Sequence, residues 1–314
     1  MGVGGVGGYY GSRLALAGHP MHWVARSDVA HLAAEGLHVE SPKGDTHLTE
    51  LSVSGPHDPL PDTDVVAIAT KTNDNEQTAE WLAERLAGRS AVVLVLQNGL
   101  EVERPFAERL AESAPEVVVL GGMSFICAER LGPGHIRHID YERVTVGAWT
   151  ADGASTTDPA VLDAVASVVD DLAAAHVPTE ALADLIEGRW RKLMWNVPFN
   201  GLSVVLGAST AELVGDPSCR SLVRDLMTEV LSASVGTGHP VDIAVIDQLF
   251  ASTERMVPYA PSMRVDYDAG RPLELEAIYA TPLHVAAEAG VRMPRTEVLL
   301  RQLEFLDRRN RADR

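Results

Sequence analysis

The chain has 314 residues, of which 46% are hydrophobic and 22% are charged, and this length accommodates two domains of ordinary size. Its formal net charge of −18 argues against nucleic acids and anionic membranes as partners, because both require a basic surface. The two cysteines, Cys127 and Cys219, are too few for a disulfide framework and lack metal-ligand spacing. We therefore expect a cytoplasmic protein without a metal centre.

The first half of the chain alternates short β-branched segments with helical ones, which is typical of a parallel α/β sheet. The predicted elements are, in chain order, a helix over 9–17, strands over 21–26 and 65–70, a helix over 76–86, and strands over 91–96 and 117–120. The alternation of apolar and polar residues over 135–138 and 143–147 predicts a partly exposed antiparallel edge of the sheet.

From about residue 181 the chain shows helical periodicity with few strand signals. The predicted helices cover 181–206, 218–236, 241–253 and 274–289. We therefore predict a Rossmann-type dinucleotide-binding domain over 1–180 and an all-helical domain over 181–314 for substrate binding and dimerisation. Periodicity does not distinguish a core from a subunit interface, so the homodimer stays an open alternative to a monomer.

A glycine-rich segment opens the chain, Gly2-Val3-Gly4-Gly5-Val6-Gly7, and fits the pattern G-x-G-x-x-G ahead of a predicted helix. Such glycines allow a tight turn and a close approach of the backbone to a pyrophosphate at the helix N-terminus. The next predicted strand ends at Arg26, where an NAD enzyme usually keeps an acidic residue. Because arginine suits a 2′-phosphate, we predict NADP(H) as the cofactor. A flexible glycine-rich terminus is the alternative.

A dinucleotide-binding fold needs a strand before these glycines, whereas this sequence begins on them with Met1. We therefore expect that the reading frame starts upstream and that the first strand of the Rossmann sheet is missing. Without that strand, its two neighbours would have unpaired backbone groups. A truncated product that folds poorly is thus one alternative to a working enzyme.

Lysine and asparagine are scarce in this chain. Only three of the 26 basic residues are lysines, Lys43, Lys71 and Lys192, so each is a candidate for a place that requires a compact, titratable ammonium. Chance retention is the alternative for any one of them. Lys71 and Asn98 each follow a predicted buried strand, and ligands bind at these carboxyl ends in open α/β sheets. A surface lysine and a turn asparagine are the alternative interpretation.

Lys192, Asn196 and Asn200 recur at every fourth position of a predicted helix and therefore share one face. Large apolar residues flank them, so we expect this face to line a half-buried cleft rather than solvent. A ketone that accepts hydride develops negative charge on its oxygen and needs a proton donor, which Lys192 can be. Ser262 and Glu274 are further candidates, although a glutamate in a first helical turn usually only stabilises the helix dipole.

Six segments together resemble the ketopantoate reductases (2-dehydropantoate 2-reductases) over essentially the whole chain. They are GVGGVGGYYGSRLA, IATKTND, LQNG, LGPGHIRH, WRKLMWNVPFN and SMRVDYDAGRPLELEAI. The resemblance implies a Rossmann domain joined to a helical domain like that of 6-phosphogluconate dehydrogenase. It also implies reduction of ketopantoate to pantoate with NADPH, on the route to pantothenate.

By motif position, the resemblance implies that Lys192 is the catalytic proton donor and Glu274 a catalytic group near nicotinamide and substrate. The implied substrate contacts are Asn98, Lys192, Asn196, Asn200 and Ser262. The implied cofactor contacts are Gly2, Gly4, Gly5, Val6, Gly7, Arg26, Lys71, Asn98, Cys127 and Glu274. Arg26 and Lys71 would hold the 2′-phosphate side, and Cys127 would lie in a loop that often has a smaller residue.

The sequence departs from the family pattern at Thr210, where some members place another substrate-contacting asparagine. It also has Leu273-Glu274-Leu275 where the family often has Thr-Glu-Ile. Two alternative functions therefore stay open. One is a reductase of another small 2-oxo acid with the same site, and the other is a non-catalytic NADPH-binding protein, which would not need Lys192 together with its two asparagines.

Overall fold

The computed structural model describes residues 1–257 and 260–312. The chain divides into two compact units: unit 1 contains Met1–Gln97 and Val102–Leu185, and unit 2 contains Asn98–Glu101 and Ile186–Arg314. The chain therefore enters unit 2 for four residues before it returns to unit 1. Within the described ranges, no helix combines the length and the apolar character that a membrane span requires.

Unit 1 is an α/β unit, as the sequence predicts. Its helices are α1 (Gly5–Leu16), α2 (Val29–Glu35), α3 (Asn75–Leu86), α4 (Arg104–Ser113) and α5 (Pro159–Ala174), with a 3₁₀ helix at Thr72–Asp74. Its strands are β1 (His22–Val24), β2 (Leu37–Glu40), β3 (Thr46–Leu48), β4 (Ser52–Ser54), β5 (Val65–Ile68), β6 (Ala91–Val95), β7 (Val117–Gly132), β8 (His135–Ala148) and β9 (Thr179–Leu182). A seven-stranded sheet has the order β3-β2-β8-β7-β6-β5 with β9 beside β8, while β1 and β4 form a separate parallel pair.

The backbone of Met1 and Gly2 lies between these two sheets. The Met1 amine donates to the Ala67 carbonyl at 2.6 Å, and the Ala69 N–H donates to the Met1 carbonyl at 2.9 Å. On the other side, the Gly2 N–H donates to the Val24 carbonyl at 3.0 Å. The two residues thus connect β1 with β5 through backbone hydrogen bonds. Among the described residues, no strand precedes α1.

The prediction of an antiparallel strand at 135–138 and 143–147 is confirmed, because β8 pairs antiparallel with β7, but its placement at an edge of the sheet is wrong. Strand β8 covers both segments and is an interior member of the sheet, with β7, β2 and β9 as neighbours. Strand β7 continues from the predicted 117–120 to Gly132, and a turn at Gly134 with φ +58° leads into β8. Strand β8 also contains buried polar side chains, His138 and Glu142, which have hydrogen-bond partners inside the unit.

Aromatic packing anchors helix α1 in unit 1. Tyr9 and Tyr10 are almost fully buried in the hydrophobic core, which also contains Trp23 of β1. A Cβ at Gly11 would overlap the Trp23 ring, so this glycine allows α1 to lie directly against the indole. Buried aromatic side chains dominate the energy of such contacts. The packing therefore holds the direction of α1 and with it the position of the glycine-rich segment.

Unit 2 is helical, as predicted. Its helices are α6 (Leu185–Leu206), α7 (Thr210–Gly215), α8 (Pro217–Gly236), α9 (Ala244–Arg255), α10 (Ser262–Asp268), α11 (Thr281–Glu288) and α12 (Pro294–Ala312), and a π-helix at Glu276–Ala280 precedes α11. The predicted helix over 181–206 begins only at Leu185, because Thr179–Leu182 pair with β8 as a strand. The predicted helix over 274–289 begins with the π-helix, a geometry that periodicity of 3.6 residues does not indicate.

Candidate active site

The glycine-rich segment forms the N-terminal end of α1. The helix begins at Gly5, and its N-cap residue Gly4 has no side chain to occupy the first-turn N–H groups. Gly2 has φ +88°, and a Cβ at Gly7 would overlap the Gly2 carbonyl oxygen. A Cβ at Gly4 would instead point into open space, with no atom within 4 Å. This tight turn with a bare helix end fits the pyrophosphate of a dinucleotide.

Arg26 and Lys71 follow the ends of β1 and β5 in unit 1, and both are exposed. The Arg26 guanidinium pairs with the Asp74 carboxylate at 3.1 Å, and Asp74 ends the 3₁₀ turn that begins directly after Lys71. The structure therefore brings both strand ends, each with one cation, to the region of Asp74.

Cys127 lies inside strand β7 and not in a loop, which corrects the prediction for this residue. Its thiol is buried, and burial, with a smaller contribution from the negative charge of Asp140, raises its pKa to about 12. The carbonyl oxygen of the next residue, Ala128, would lie 2.9 Å from a Cβ on Gly5. Strand β7 thus runs against the N-terminal end of α1 and presents a neutral thiol nearby.

In unit 2, helix α6 carries the polar face that the sequence predicts. Lys192 is partly exposed, whereas Asn196 and Asn200 are only 4% and 1% exposed. Within the described residues, Asn196 Nδ2 and Asn200 Oδ1 are buried and have no hydrogen-bond partner. A buried polar atom without a partner is costly, and native proteins rarely keep one without a reason such as ligand binding. The face is therefore half-buried and offers one free donor and one free acceptor.

Asn98 belongs to the short segment that enters unit 2. The next residues lie against the π-helix: the Leu100 N–H donates to the Ala277 carbonyl at 2.9 Å, and Gly99 with φ +120° contacts Ala277. The same π-helix reaches α6 through Tyr279, whose hydroxyl donates to the Val197 carbonyl at 3.0 Å. Asn98 Oδ1 is buried and, in the described part of the chain, unpartnered. The π-helix thus holds the Asn98 segment and the polar face of α6 in one assembly.

Sequence reasoning missed Gly99, Ala277 and Tyr279, which build this assembly. Gly99 was visible only as half of an Asn-Gly turn pair. Neither composition nor helical period marks a π-helix, although such turns are frequent at functional sites.

Glu274 and Ser262 also lie in unit 2. Glu274 is buried immediately before the π-helix, so the alternative of an exposed, dipole-stabilising glutamate does not describe it, whereas Glu276 is exposed. Ser262 is half-buried at the start of α10, and Arg264 of that helix donates to the Ser203 carbonyl of α6 at 2.9 Å. This hydrogen bond anchors α10 near the end of the polar face, three residues beyond Asn200.

Residue by residue, the predicted site divides between the units. Unit 1 contains the glycine segment with Val6, Arg26, Lys71 and Cys127, and unit 2 contains Asn98, Lys192, Asn196, Asn200, Ser262 and Glu274. Thr210, which stands where some family members have an asparagine, is buried at the start of α7. All implied substrate contacts are therefore in unit 2, and Asn98 and Glu274 are the implied cofactor contacts that unit 1 does not contain.

Comparison with protein families matches residues 1–151 to the model described as ketopantoate reductase PanE/ApbA and residues 184–307 to its C-terminal counterpart. The chain belongs to this family. It is 42% identical to the 2-dehydropantoate 2-reductase of Nostoc sp., over 99% of this chain and 95% of that protein. The corresponding protein of Halobacterium salinarum is 27% identical, over 93% and 90% of the two chains.

Solved structures are similar over the whole length. The crystal structure of the 2-dehydropantoate 2-reductase from Geobacter metallireducens superimposes with a TM-score of 0.84 at 32% identity, covering 97% of each chain. A family ketopantoate reductase from Ralstonia eutropha gives the same TM-score at 26% identity, covering 99% of this chain and 98% of that one. The family and the Rossmann-like unit together imply an oxidoreductase that uses a nicotinamide cofactor.

Proposed function

We propose that the protein is a 2-dehydropantoate 2-reductase, which reduces ketopantoate to pantoate with NADPH in pantothenate biosynthesis. The observation that carries the proposal is a set of buried amide atoms that have no partner among the described residues, Asn98 Oδ1, Asn196 Nδ2 and Asn200 Oδ1, in the unit that also contains Lys192. The unpaired donor suits a carboxylate or keto oxygen, and the unpaired acceptors suit a hydroxyl group. Ketopantoate has all three groups.

The proposed chemistry assigns one task to each group. When bound, NADPH supplies the hydride that goes to the keto carbon. Lys192 gives a proton to the keto oxygen as negative charge develops there, and it recovers a proton from water afterwards. The substrate is bound and oriented by Asn98, Asn196, Asn200 and Ser262. The buried Glu274 is a catalytic group that lies close to nicotinamide and substrate. Such general-acid assistance is typically worth about 10²–10⁴-fold in rate.

The choice of NADPH rests on Arg26 and Lys71. Two cations that follow the ends of β1 and β5 suit the additional phosphate of NADPH, whereas an NAD enzyme typically keeps an acidic residue at the position of Arg26. The glycine segment would bind the pyrophosphate, and the neutral thiol of Cys127 adds no negative charge near it. Local positive charge is required here because the net charge of −18 repels an anionic cofactor and an anionic substrate.

We further propose that the protein acts in the cytoplasm, where its free thiols Cys127 and Cys219 stay reduced. A homodimer is also part of this proposal, and light scattering of the purified protein tests it.

The experiment is NADPH oxidation on addition of ketopantoate, with pantoate identified by mass spectrometry. A parallel assay uses 2-oxoisovalerate, which lacks the hydroxymethyl group. A site built to bind a substrate hydroxyl discriminates against such an analogue by up to about 10⁴-fold. Turnover of other 2-oxo acids but not of ketopantoate would refute the substrate assignment. NADPH binding without turnover of any 2-oxo acid would refute the enzyme assignment and favour a non-catalytic NADPH-binding protein.

A further inference from the structure

Asp74 forms an ion pair with a side chain that is distant in the sequence. It is the N-cap residue of α3, yet its side chain accepts no capping hydrogen bond from that helix. Its carboxylate instead pairs with Arg26 at 3.1 Å, 48 residues earlier in the chain. The Arg26 side chain is 82% exposed and that of Asp74 47%, so the pair lies in solvent.

The backbone of Asp74 explains why its carboxylate does not cap α3. Its φ of −112° and ψ of 17° lie outside the extended region typical of an N-cap, and the 3₁₀ turn Thr72–Asp74 runs directly into the helix. The carboxylate is therefore available to Arg26, and an exposed ion pair of this kind contributes little to stability. Its importance comes from its position, because Arg26 is the cation that, by position, meets the cofactor.

We propose that Asp74 determines how strongly the protein discriminates between NADPH and NADH. The inference rests on the proposed function, in which Arg26 binds the 2′-phosphate. A 2′-phosphate must displace the Asp74 carboxylate from Arg26 and is repelled by its charge. The 2′-hydroxyl of NADH, in contrast, can donate a hydrogen bond to that carboxylate. Asp74 thus weakens the binding of a 2′-phosphate and lowers the ratio of the affinity for NADPH to the affinity for NADH.

The test compares 2′,5′-ADP with 5′-ADP by calorimetric titration of the full chain, because the two ligands differ only in the 2′-phosphate. Asp74→Asn removes the charge with almost no change of volume, and since the half-exposed Asp74 side chain makes no capping hydrogen bond, the fold is retained. We expect Asp74→Asn to bind 2′,5′-ADP about three- to tenfold more tightly at low salt, the range of one exposed charge interaction or slightly more. The affinity for 5′-ADP should stay the same or fall, and the gain should shrink at high salt.

Arg26→Ala and the double variant complete the cycle. We expect Arg26→Ala to lose most of the preference for 2′,5′-ADP, and Asp74→Asn to give a smaller gain in that background, because only the direct charge repulsion is then relieved. If Arg26→Ala reduces the preference but Asp74→Asn changes nothing in the parent protein, the role of Asp74 is refuted while the cofactor assignment stands. If Arg26→Ala leaves the preference intact, both are refuted. An equal gain for both ligands would refute the role of Asp74 as well.

Discussion

The side-chain amides of Asn75 and Gln97 hold each other by two reciprocal hydrogen bonds, of 3.0 Å from Asn75 Nδ2 to Gln97 Oε1 and 2.7 Å from Gln97 Nε2 to Asn75 Oδ1. Both residues are buried. Gln97 also donates to the Thr70 carbonyl at 3.0 Å, directly before Lys71, and Asn75 donates to the Val102 carbonyl at 3.4 Å. The pair therefore holds both ends of the segment 98–101 and the strand end that precedes Lys71.

Asn75→Ala should lower both stability and substrate affinity. Gln97 loses two of its buried hydrogen bonds, which costs about 1–3 kcal/mol of unfolding free energy. The KM for ketopantoate should rise more than kcat falls, because the backbone next to Asn98 is less well held. Urea unfolding and steady-state kinetics measure the two effects. Asn73→Ala, at an exposed position two residues earlier, is the control and should change neither.

Lys192→Ala should lower kcat by about 10²–10⁴-fold, the usual contribution of a general acid, and leave NADPH affinity unchanged. Arg191→Ala is the matched control, since Arg191 is exposed on the same helix turn. Its guanidinium donates a hydrogen bond to the Gln248 side chain at 3.5 Å. Stopped-flow hydride transfer and fluorescence titration of NADPH separate rate from binding. Activity of Lys192→Ala within a few-fold of the parent protein would exclude its role as proton donor.

Asn200→Leu should weaken substrate binding without lowering the stability of the fold. The substitution removes a buried oxygen that has no partner in the described residues, so the thermal midpoint should stay the same or rise. The KM for ketopantoate should increase strongly, since a substrate hydrogen bond is lost. Asn310→Leu is the contrasting control: its amide donates to the Tyr267 carbonyl at 2.6 Å, so stability should fall by about 1 kcal/mol with KM unchanged. A marked loss of stability in Asn200→Leu would indicate a purely structural role.

Gly99→Ala should destabilise unit 2 and impair substrate binding. Gly99 has φ +120°, and its Cβ would lie 2.5 Å from the Cβ of Ala277. Strain and overlap together should cost about 2–4 kcal/mol. Gly88→Ala tests strain alone, because φ is +70° there but a Cβ would meet nothing within 4 Å. Urea midpoints of the two variants should therefore differ clearly. Equal midpoints would show that the contact with Ala277 does not constrain the Asn98 segment.

Glu142→Gln should destabilise the protein in a pH-dependent way. Burial acts to raise the pKa of this carboxyl, but hydrogen bonds from Lys43 and Tyr9 outweigh it and lower the pKa below its ordinary 4.5. A lowered folded-state pKa stabilises the protein above the unfolded value, and this stabilisation is lost as the pH falls through the folded value. The difference in unfolding free energy between parent and variant should therefore be full at pH 7 and shrink below about pH 4.5. Urea titrations over this range measure it, with Glu116→Gln as an exposed control. A difference independent of pH would contradict the charge interaction.

This ion pair between the exposed Lys43 and the buried Glu142 also accounts for the third lysine, which its scarcity marked as a candidate but which belongs to no predicted site. Lys43 bonds a carboxylate that is itself bonded by Tyr9 of α1. The low number of lysines therefore identified a residue with a specific partner, Glu142. It did not distinguish a structural ammonium group from a catalytic one.

The sequence by itself determined the two-part architecture, the glycine segment at the start of α1 and the polar face of α6. Each of these is a local property, since glycine spacing and a repeat of four residues express themselves within one or two turns of chain. It also determined Arg26 and Lys71 as strand-end cations, because strand ends in this fold follow from the alternation of elements.

Only the tertiary structure decided the interior position of β8, the place of Cys127 within β7, and the π-helix that holds Asn98 and α6 together. It likewise decided that Asp74 pairs with Arg26, and that Asn196 and Asn200 are buried with amide atoms that find no partner in the described part of the chain. These features depend on residues far apart in the chain, whose contacts no local period encodes. Burial and hydrogen-bond partners depend on the folded surroundings of a residue. The same residue types on an exposed helix face would therefore show the same sequence pattern as they do on this buried one.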